Sequence, residues 1–189
     1  MPLERNGGWG YLLGDEGSAY LIGREALCRA LRHRDKGMQP TPLHKEILDH
    51  FGCGSVGALI SAVYSPEQLG VIPVDSDPKL RIASLCRLVF RAVFPSEGSE
   101  HLMDEEARDI VRQAASAAVD NVLPLLRDEL GIKAGESTLV MGGALAQIQV
   151  YRKLVEDELR KKGVVFEQVE TVDDAASSAV LLLIRDYLA

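Results

Sequence analysis

The sequence predicts a helix-rich α/β fold that contains a small, mostly parallel sheet. Only two segments have the apolar, β-branched composition of strands, Thr138 to Met141 and Val164 to Val169. An amphipathic helix from Val150 to Lys162 lies between them. Most of the preceding chain also carries apolar residues at helical spacing. Because a strand, helix, strand unit pairs its two strands in parallel, the sheet is predicted to be parallel.

The N-terminal half of the chain predicts four helices. Ser18 to His33 places apolar residues near one helical face, directly after a glycine-rich stretch. Thr41 supplies an N-cap and Pro42 the first position of a helix that reaches Phe51, before a break at 52–54. The other two helices are predicted on either side of a loop at Ser65 to Ser76, from Val56 to Tyr64 and from Asp77 to Phe94.

The C-terminal half predicts the longest helix of the chain. The acidic run at 104–106 suits the positive end of a helix dipole, and the alanine-rich segment Ala107 to Leu130 continues that helix. Pro124 is expected to kink it. The strand, helix, strand unit follows. A final helix is predicted from Thr171 to Leu188, capped by Thr171 or Asp173.

The predicted sheet is incomplete. Natural proteins normally pair or cover the edges of parallel strands, and two strands leave both outer edges open. We therefore expect residues 1–189 to form a single domain that is part of a larger α/β fold. The remaining strands would be encoded upstream of Met1 or supplied by another chain.

Composition and charge exclude several classes of protein. The chain has 189 residues, 47% hydrophobic content, a net charge of −7 and a sequence pI near 5.1. It has no run of lysine or arginine, so a nucleic-acid partner is not expected. No apolar stretch approaches the roughly 20 residues of a membrane span. We therefore expect a cytoplasmic protein with neither a nucleic-acid nor a membrane partner.

The cysteines and histidines form no metal-binding pattern. Cys28, Cys53 and Cys86 are far apart and odd in number, so we interpret them as reduced, mostly buried thiols. The acidic run at 104–106 is explained by the helix N-terminus. The histidines lack ligand spacing and are expected at the surface or at helix caps: His33, His44, His50 and His101. No metal site is predicted.

One glycine-rich stretch has a composition suited to ligand binding. It reads GGWGYLLGDEGSAY from Gly7 to Tyr20, and its glycines permit close approach of the backbone to a ligand. The indole of Trp9, the only tryptophan, suits a sugar ring or an acetamido methyl group, and Asp15 can accept hydrogen bonds from two hydroxyls. In the alternative interpretation, Trp9 is a core anchor and Asp15 or Glu16 is an ordinary helix cap.

The same stretch carries a family resemblance. Gly8-Trp9-Gly10, followed by the run from Gly14 to Tyr20, closely resembles a segment of N-acetylglucosamine kinases and of the related BadF/BadG/BcrA/BcrD-type ATPases. These belong to the actin-like, ribonuclease H-like ATPase superfamily. The resemblance implies that Gly8, Trp9 and Gly10 line the pocket for the N-acetyl sugar and that Asp15 accepts hydrogen bonds from its hydroxyls.

Two later segments support the resemblance with less specificity. Lys79 to Cys86 is similar to the family's helix beside the nucleotide, where the residue at Ala83 contacts ATP. Leu139 to Ala144 is similar to the superfamily's adenosine motif, which implies that Gly142, Gly143 and Ala144 bind the nucleotide. Ligands commonly bind at strand ends in α/β sheets. From the residues alone, the first segment is also a plain amphipathic helix and the second a simple turn.

The chain also departs from the family pattern. Family members usually carry a DGGGTK-like phosphate motif, a catalytic aspartate and a Gly-Thr-Gly loop upstream of the segment that contains Trp9, and this sequence contains none of them. The resemblance therefore covers the C-terminal half of the family's fold. The final helix departs as well, because 173–178 has no proline or glycine.

The resemblance implies phosphorylation of N-acetylglucosamine to its 6-phosphate, with ATP and Mg²⁺. No catalytic residue is assigned, because the catalytic aspartate is expected in the absent N-terminal half, and little or no kinase turnover is expected of this chain alone. The expected partners are an amino sugar and ATP, and a homodimer is a further expectation.

The sequence leaves one alternative open and disfavours another. In the open alternative, the chain is a fragment of the same family that binds a sugar or a partner without catalysing a reaction. An ATPase that activates a partner reductase fits the broader family, but it requires cysteines that bridge an iron–sulfur cluster, and the three cysteines are not placed for that.

Overall fold

The described residues of the computed structural model are 4–65, 77–94, 103–127 and 130–173. They confirm a helix-rich α/β class with a small parallel sheet. Within these ranges the helices are α1 (Ala19–Asp35), α2 (Pro42–Phe51), α3 (Leu59–Tyr64), α4 (Pro78–Ser84), α5 (Cys86–Val93), α6 (Glu105–Val122) and α7 (Gln149–Lys161). The strands are β1 (Thr138–Gly142) and β2 (Gln168–Val172). Short 3₁₀ turns lie at Val56–Ala58, Leu123–Leu126, Ala134–Glu136 and Ala144–Gln147.

The helix starts follow the capping residues of the sequence. The Thr41 hydroxyl accepts a hydrogen bond from the His44 N–H at 3.3 Å, and Pro42 occupies the first position of α2. Asp77 caps α4 by accepting the Lys79 N–H at 2.8 Å. The helix predicted from Asp77 to Phe94 is present, although Leu85 divides it into α4 and α5.

The longest helix is shorter than predicted. It ends at Val122 instead of continuing to Leu130, and Leu123–Leu126 forms a 3₁₀ turn that contains Pro124. A proline has no N–H to donate and its ring clashes with the preceding helical turn, so Pro124 ends the helix, whereas the sequence predicts a kink there. The acidic run does begin the helix, since Asp104 accepts the Ala107 N–H at 2.9 Å.

The two strands pair in parallel, as predicted. Their register runs from Thr138 opposite Gln168 to Gly142 opposite Val172. The second strand lies further along the chain than predicted, because Val164 is used in the exit from α7, where its N–H donates to the Leu159 carbonyl at 2.9 Å.

Two further predictions, the final helix and the loop that begins at Ser65, are affected by the position of β2 and by the extent of the described residues. Thr171 belongs to β2, so it is not a helix cap. The rest of the predicted final helix lies outside the described residues, as does nearly all of the predicted loop that begins at Ser65.

The chain divides into two compact units. One consists of Gly7–Ala114 and the other of Met1–Asn6 together with Ala115–Ala189, so the boundary falls within α6. Each unit has its own buried apolar residues. In the first they include Ile22, Leu43, Ile47, Leu59, Leu85 and Val89, and in the second Val119, Ala146, Tyr151, Val155 and Leu159. That residues 1–189 form a single domain stays a prediction.

The first unit is organised by close packing of α1 on α4. Gly23 of α1 lies against the backbone of α4, and a Cβ added there would be 1.9 Å from the Ile82 carbonyl oxygen. The same face of α1 buries Ile22, Ala26 and Ala30. Because α1 begins directly after the glycine-rich stretch, this packing holds that stretch near the start of α4.

Among the described residues, no single helix is both long and apolar enough to cross a membrane. The bent pair Pro42–Phe51 and Val56–Tyr64, with 51° between its two parts, meets that test by length and composition only.

Candidate functional site

The glycine-rich stretch has a backbone that ordinary residues rarely adopt. Gly8, Gly10 and Gly17 have φ values of 70°, 81° and 79°, in the left-handed region that glycine enters at no steric cost. Asp15 has a φ of 65° and is the one non-glycine residue with a positive φ among the described residues. Asp tolerates this conformation better than most residues do. The path of the loop is therefore set by its sequence.

Hydrogen bonds close the loop on itself. The Gly10 carbonyl accepts the Leu13 N–H at 3.2 Å and the Gly14 N–H at 2.8 Å. The Asp15 carbonyl then accepts the Ser18 N–H at 3.0 Å, which leads the chain into α1. These bonds restrain the backbone from which the side chains of the loop project.

Trp9 lies at the surface of this loop. Its exposed fraction is 62%, so the interpretation of Trp9 as a core anchor is wrong. Leu12 and Leu13 beside it are exposed as well. A flat apolar face held on a fixed backbone is available to a ligand.

The helix-cap alternative for the acidic residues is also wrong. The N-cap of α1 is Ser18, whose hydroxyl accepts the Leu21 N–H at 3.2 Å. The Asp15 carboxylate instead faces Lys79 of α4, with 4.0 Å between Oδ2 and Nζ. The Asp15 side chain is partly exposed, so it remains accessible to a ligand.

Two tyrosines support the loop. The rings of Tyr11 and Tyr20 meet edge to face, with 5.1 Å between their centroids. Burial raises the pKa of Tyr20 above its ordinary value, so this phenol stays neutral even in mildly alkaline solution. Nζ of Lys79 lies 5.2 Å from the centroid of the Tyr11 ring, within range of a cation–π contact.

The predicted nucleotide residues lie in two places. Ala83 is a half-buried residue of α4, one helical turn after Lys79 and in the same unit as the loop. Gly142, Gly143 and Ala144 belong to the other unit, where they are exposed at the end of β1. Gly143 has a φ of 92°, and a Cβ added there would meet nothing within 4 Å.

A buried polar cluster corrects one expectation about the histidines. His44 is fully buried between helices instead of lying at the surface, although it does serve as a capping residue of α2. Its Nε2 lies 3.1 Å from Oε2 of Glu106, and Nε2 of His33 lies 3.4 Å from Oε1 of the same carboxylate. The two imidazole rings meet edge to face at 4.7 Å.

The capping bond of His44 determines what this cluster can do. The Thr41 N–H donates to Nδ1 of His44 at 3.2 Å, so the neutral ring carries its proton on Nε2, facing Glu106. A metal at Nε2 would displace that proton and disrupt the cap, so the geometry favours a polar packing cluster over a metal centre. Burial lowers the pKa of His44, and the charge of Glu106 only partly opposes this.

The cysteines match their interpretation as reduced, mostly buried thiols. All three are free, with Cys53 and Cys86 buried and Cys28 half-buried. Burial raises the pKa of the Cys86 thiol to about 12 and also raises the pKa of Cys53. These two thiols are therefore poor nucleophiles at neutral pH.

The sequence did not indicate two of these relationships. The contact of Lys79 with Asp15 depends on how α4 packs on α1, and nothing local marks Lys79 as a partner of the loop. The burial of His44 had a weak signal, since a residue three positions after an N-cap threonine can complete a capping box.

Comparison with known proteins finds relatives of this chain in sequence. No protein-family model matches it. It is 38% identical over 107 residues to an N-acetylmuramic acid/N-acetylglucosamine kinase of Clostridium acetobutylicum, a match that covers 56% of this chain and 32% of that protein. It is 27% identical over 183 residues to an N-acetyl-D-glucosamine kinase of Dictyostelium discoideum, covering 96% of this chain and 52% of the relative.

A solved structure agrees with these matches. A candidate N-acetylglucosamine kinase of Chromobacterium violaceum superimposes with a TM-score of 0.61 and 27% identity, over 94% of this chain and 51% of that one. The chain is thus related to sugar kinases. Within that class, its relationship is to proteins named as N-acetylglucosamine kinases. The chain spans about half the length of two of these relatives and about a third of the other.

Proposed function

We propose that this chain binds an N-acetylated amino sugar and ATP as part of a kinase that phosphorylates N-acetylglucosamine at its 6-hydroxyl. The observation that carries the proposal is the loop itself, in which an exposed Trp9 and an accessible Asp15 are held on a fixed backbone. The relatives named as N-acetylglucosamine kinases support the choice of sugar.

In this proposal the loop recognises two parts of the sugar. The indole of Trp9 covers the acetamido methyl group or the apolar face of the ring, and the carboxylate of Asp15 accepts hydrogen bonds from hydroxyls. Gly8 and Gly10 let the backbone approach the ring, because no Cβ stands in the way. We assign Asp15 to binding and not to proton abstraction.

The nucleotide is assigned to Ala83 and to the segment Gly142, Gly143 and Ala144. In its own unit, the small side chain of Ala83 permits close approach of a ligand, and in the other unit the exposed backbone at Gly143 does the same. Magnesium prefers oxygen ligands, and none of these four residues has an oxygen in its side chain, so we assign no Mg²⁺ ligand and derive no step through the ion. Mg²⁺ accompanies ATP as part of the substrate.

Calorimetry on the full chain tests the sugar site. We expect N-acetylglucosamine to release heat with wild type, and Trp9→Ala to weaken binding at least about tenfold. Asp15→Asn should weaken binding as well, because asparagine lacks the charge. Asparagine is chosen because it tolerates the left-handed backbone. N-Acetylmuramic acid is the second ligand to titrate, because one relative is named for both sugars.

Matched controls separate the loop from the rest of the surface. Phe94→Ala removes a partly exposed aromatic ring at the end of α5, and Asp49→Asn removes an exposed carboxylate of α2. Both should bind like wild type. Absence of heat with either sugar in wild type would overturn the proposal.

The proposal also includes a cytoplasmic location and a homodimer. Sedimentation of the purified chain tests the homodimer.

A further inference from the structure

Lys79 connects the proposed sugar loop to the helix that carries Ala83. Its ammonium lies 4.0 Å from Oδ2 of Asp15 and 5.2 Å from the centre of the Tyr11 ring, so it is near two residues of the loop at once. Among the residues that the structure describes, it is the cation found within ion-pair distance of Asp15. Its side chain is partly exposed, as is that of Asp15.

The backbone of Lys79 is fixed from two directions. Asp77 caps the start of α4 by accepting the Lys79 N–H at 2.8 Å, and Pro78 sets the first helical residue. Further along, the Ile82 carbonyl packs against Gly23 of α1. Since α1 follows the loop directly, the packing of α1 on α4 fixes the position of α4 relative to the end of the loop. Lys79 therefore extends toward the loop from a helix that is held in place.

We infer that Lys79 is a positioning residue of the sugar site, which holds the Asp15 carboxylate and the Tyr11 ring in the arrangement that binds the sugar. The inference rests on the proposed function and adds a residue to it. An aspartate on an exposed loop otherwise samples several χ1 rotamers, and binding then requires that it be ordered. The ammonium favours one of them and leaves carboxylate lone pairs for the sugar hydroxyls.

The effect expected of Lys79 is modest and specific. An exposed ion pair is weak and is screened by salt, so Lys79→Met should weaken N-acetylglucosamine binding by about fivefold at low ionic strength and by less at high salt. The melting temperature should stay close to that of wild type, since the pair adds little to stability. Lys79→Arg keeps the charge and should recover most of the affinity.

A double-mutant cycle tests whether Lys79 acts through Asp15. Sugar affinity is measured by calorimetry for wild type, Lys79→Met, Asp15→Asn and the double variant. If Lys79 orients Asp15, removing it in the Asp15→Asn background should change affinity by less than about twofold. Lys45→Met, at an exposed lysine of α2, is the control for loss of a positive charge and should bind like wild type.

The outcomes separate the inference from the function on which it rests. Sugar binding by wild type that Lys79→Met leaves unchanged, or equal losses in both backgrounds of the cycle, would overturn the role of Lys79 alone. Lack of sugar binding by wild type would overturn the proposed function and this role with it. Lys79→Gln serves as a second variant if the methionine variant fails to fold, and circular dichroism checks each protein.

Discussion

Gly23 and Ile82 approach so closely that a single methyl group cannot be added between them. A Cβ at Gly23 would lie 1.9 Å from the Ile82 carbonyl oxygen and 2.9 Å from its carbonyl carbon. These two nearest atoms belong to the backbone of α4, which cannot rotate away as a side chain does. The register of α1 on α4, and with it the place of Lys79 beside Asp15, therefore depends on the absence of a side chain at Gly23.

We expect Gly23→Ala to destabilise the protein although alanine is the better helix former. The gain in helix propensity is about 1 kcal/mol, and forcing α1 and α4 apart should exceed it, for a net loss of about 2 kcal/mol or more. Urea unfolding measures this change. Gly54→Ala, outside the helices, is the control for adding a methyl group without a clash, because a Cβ there meets nothing within 4 Å. Equal stability of Gly23→Ala and wild type would contradict the close packing.

The stability of the protein should fall as the pH is lowered below 7. Burial lowers the pKa of His44 in the folded state, so at pH values below about 6.5 the unfolded chain binds a proton that the folded chain does not. Stability is then lost down to the lowered folded pKa, by at most about 1.4 kcal/mol per pH unit for one histidine. A protonated Nδ1 also cannot accept the Thr41 N–H that caps α2.

Two histidine variants identify the source of this pH dependence. His50 is also expected to contribute, because burial, followed by the charge of Arg91, lowers its pKa. The free energy of unfolding, measured with urea between pH 5 and pH 8, should therefore depend less steeply on pH in His44→Gln and in His50→Gln than in wild type. If His44→Gln leaves the pH dependence of the unfolding free energy unchanged, His44 is not buried in its neutral form.

The fluorescence of Trp9 should report sugar binding directly. It is the only tryptophan and its exposed fraction is 62%, so acrylamide should quench it readily in the free protein. N-Acetylglucosamine at saturating concentration should reduce the quenching constant, because the sugar covers the indole. Glucose, which has no acetamido group, is the control ligand. Equal quenching with and without the amino sugar would argue that Trp9 is not a wall of the site.

A coupled assay of ADP release tests whether the chain catalyses by itself. We expect turnover at least about 1,000-fold below the roughly 1–100 per second of ordinary kinases, because no catalytic base is assigned to its residues. Any residual activity should be lost in Asp15→Asn, which separates it from a contaminating kinase. Robust turnover by the purified chain would show that the base is present among residues 1–189.

Local chemistry made much of the fold predictable. The pairs Thr41-Pro42 and Asp77-Pro78 each combine a side-chain cap with a proline at the first helical position, and both begin helices as predicted. The strand, helix, strand unit also has its signal within a short stretch. The sequence prediction is wrong where neighbouring signals compete: Pro124 ends α6 outright, and Val164, predicted in a strand, lies in the exit turn of α7.

The candidate site was predictable only in part. The loop residues Trp9 and Asp15 were found because glycines, an aromatic ring and a carboxylate stand close together in the sequence. The partner of Asp15 was not found, because Lys79 reaches it only through packing of α1 on α4. The burial of His44 likewise results from the helices around it, and no pattern in its own helix distinguishes a buried cap from an exposed one.

The left-handed backbone at Asp15 restricts what can replace it. Glycine meets the conformational demand but removes the carboxylate, and asparagine keeps the conformation but removes the charge. Glutamate keeps the charge, yet it is strained at a φ of 65° and its longer side chain would place the carboxylate elsewhere. Among these four residues, only aspartate combines a tolerated left-handed backbone with a carboxylate at this place. A replacement that conserves the charge would therefore not conserve the function.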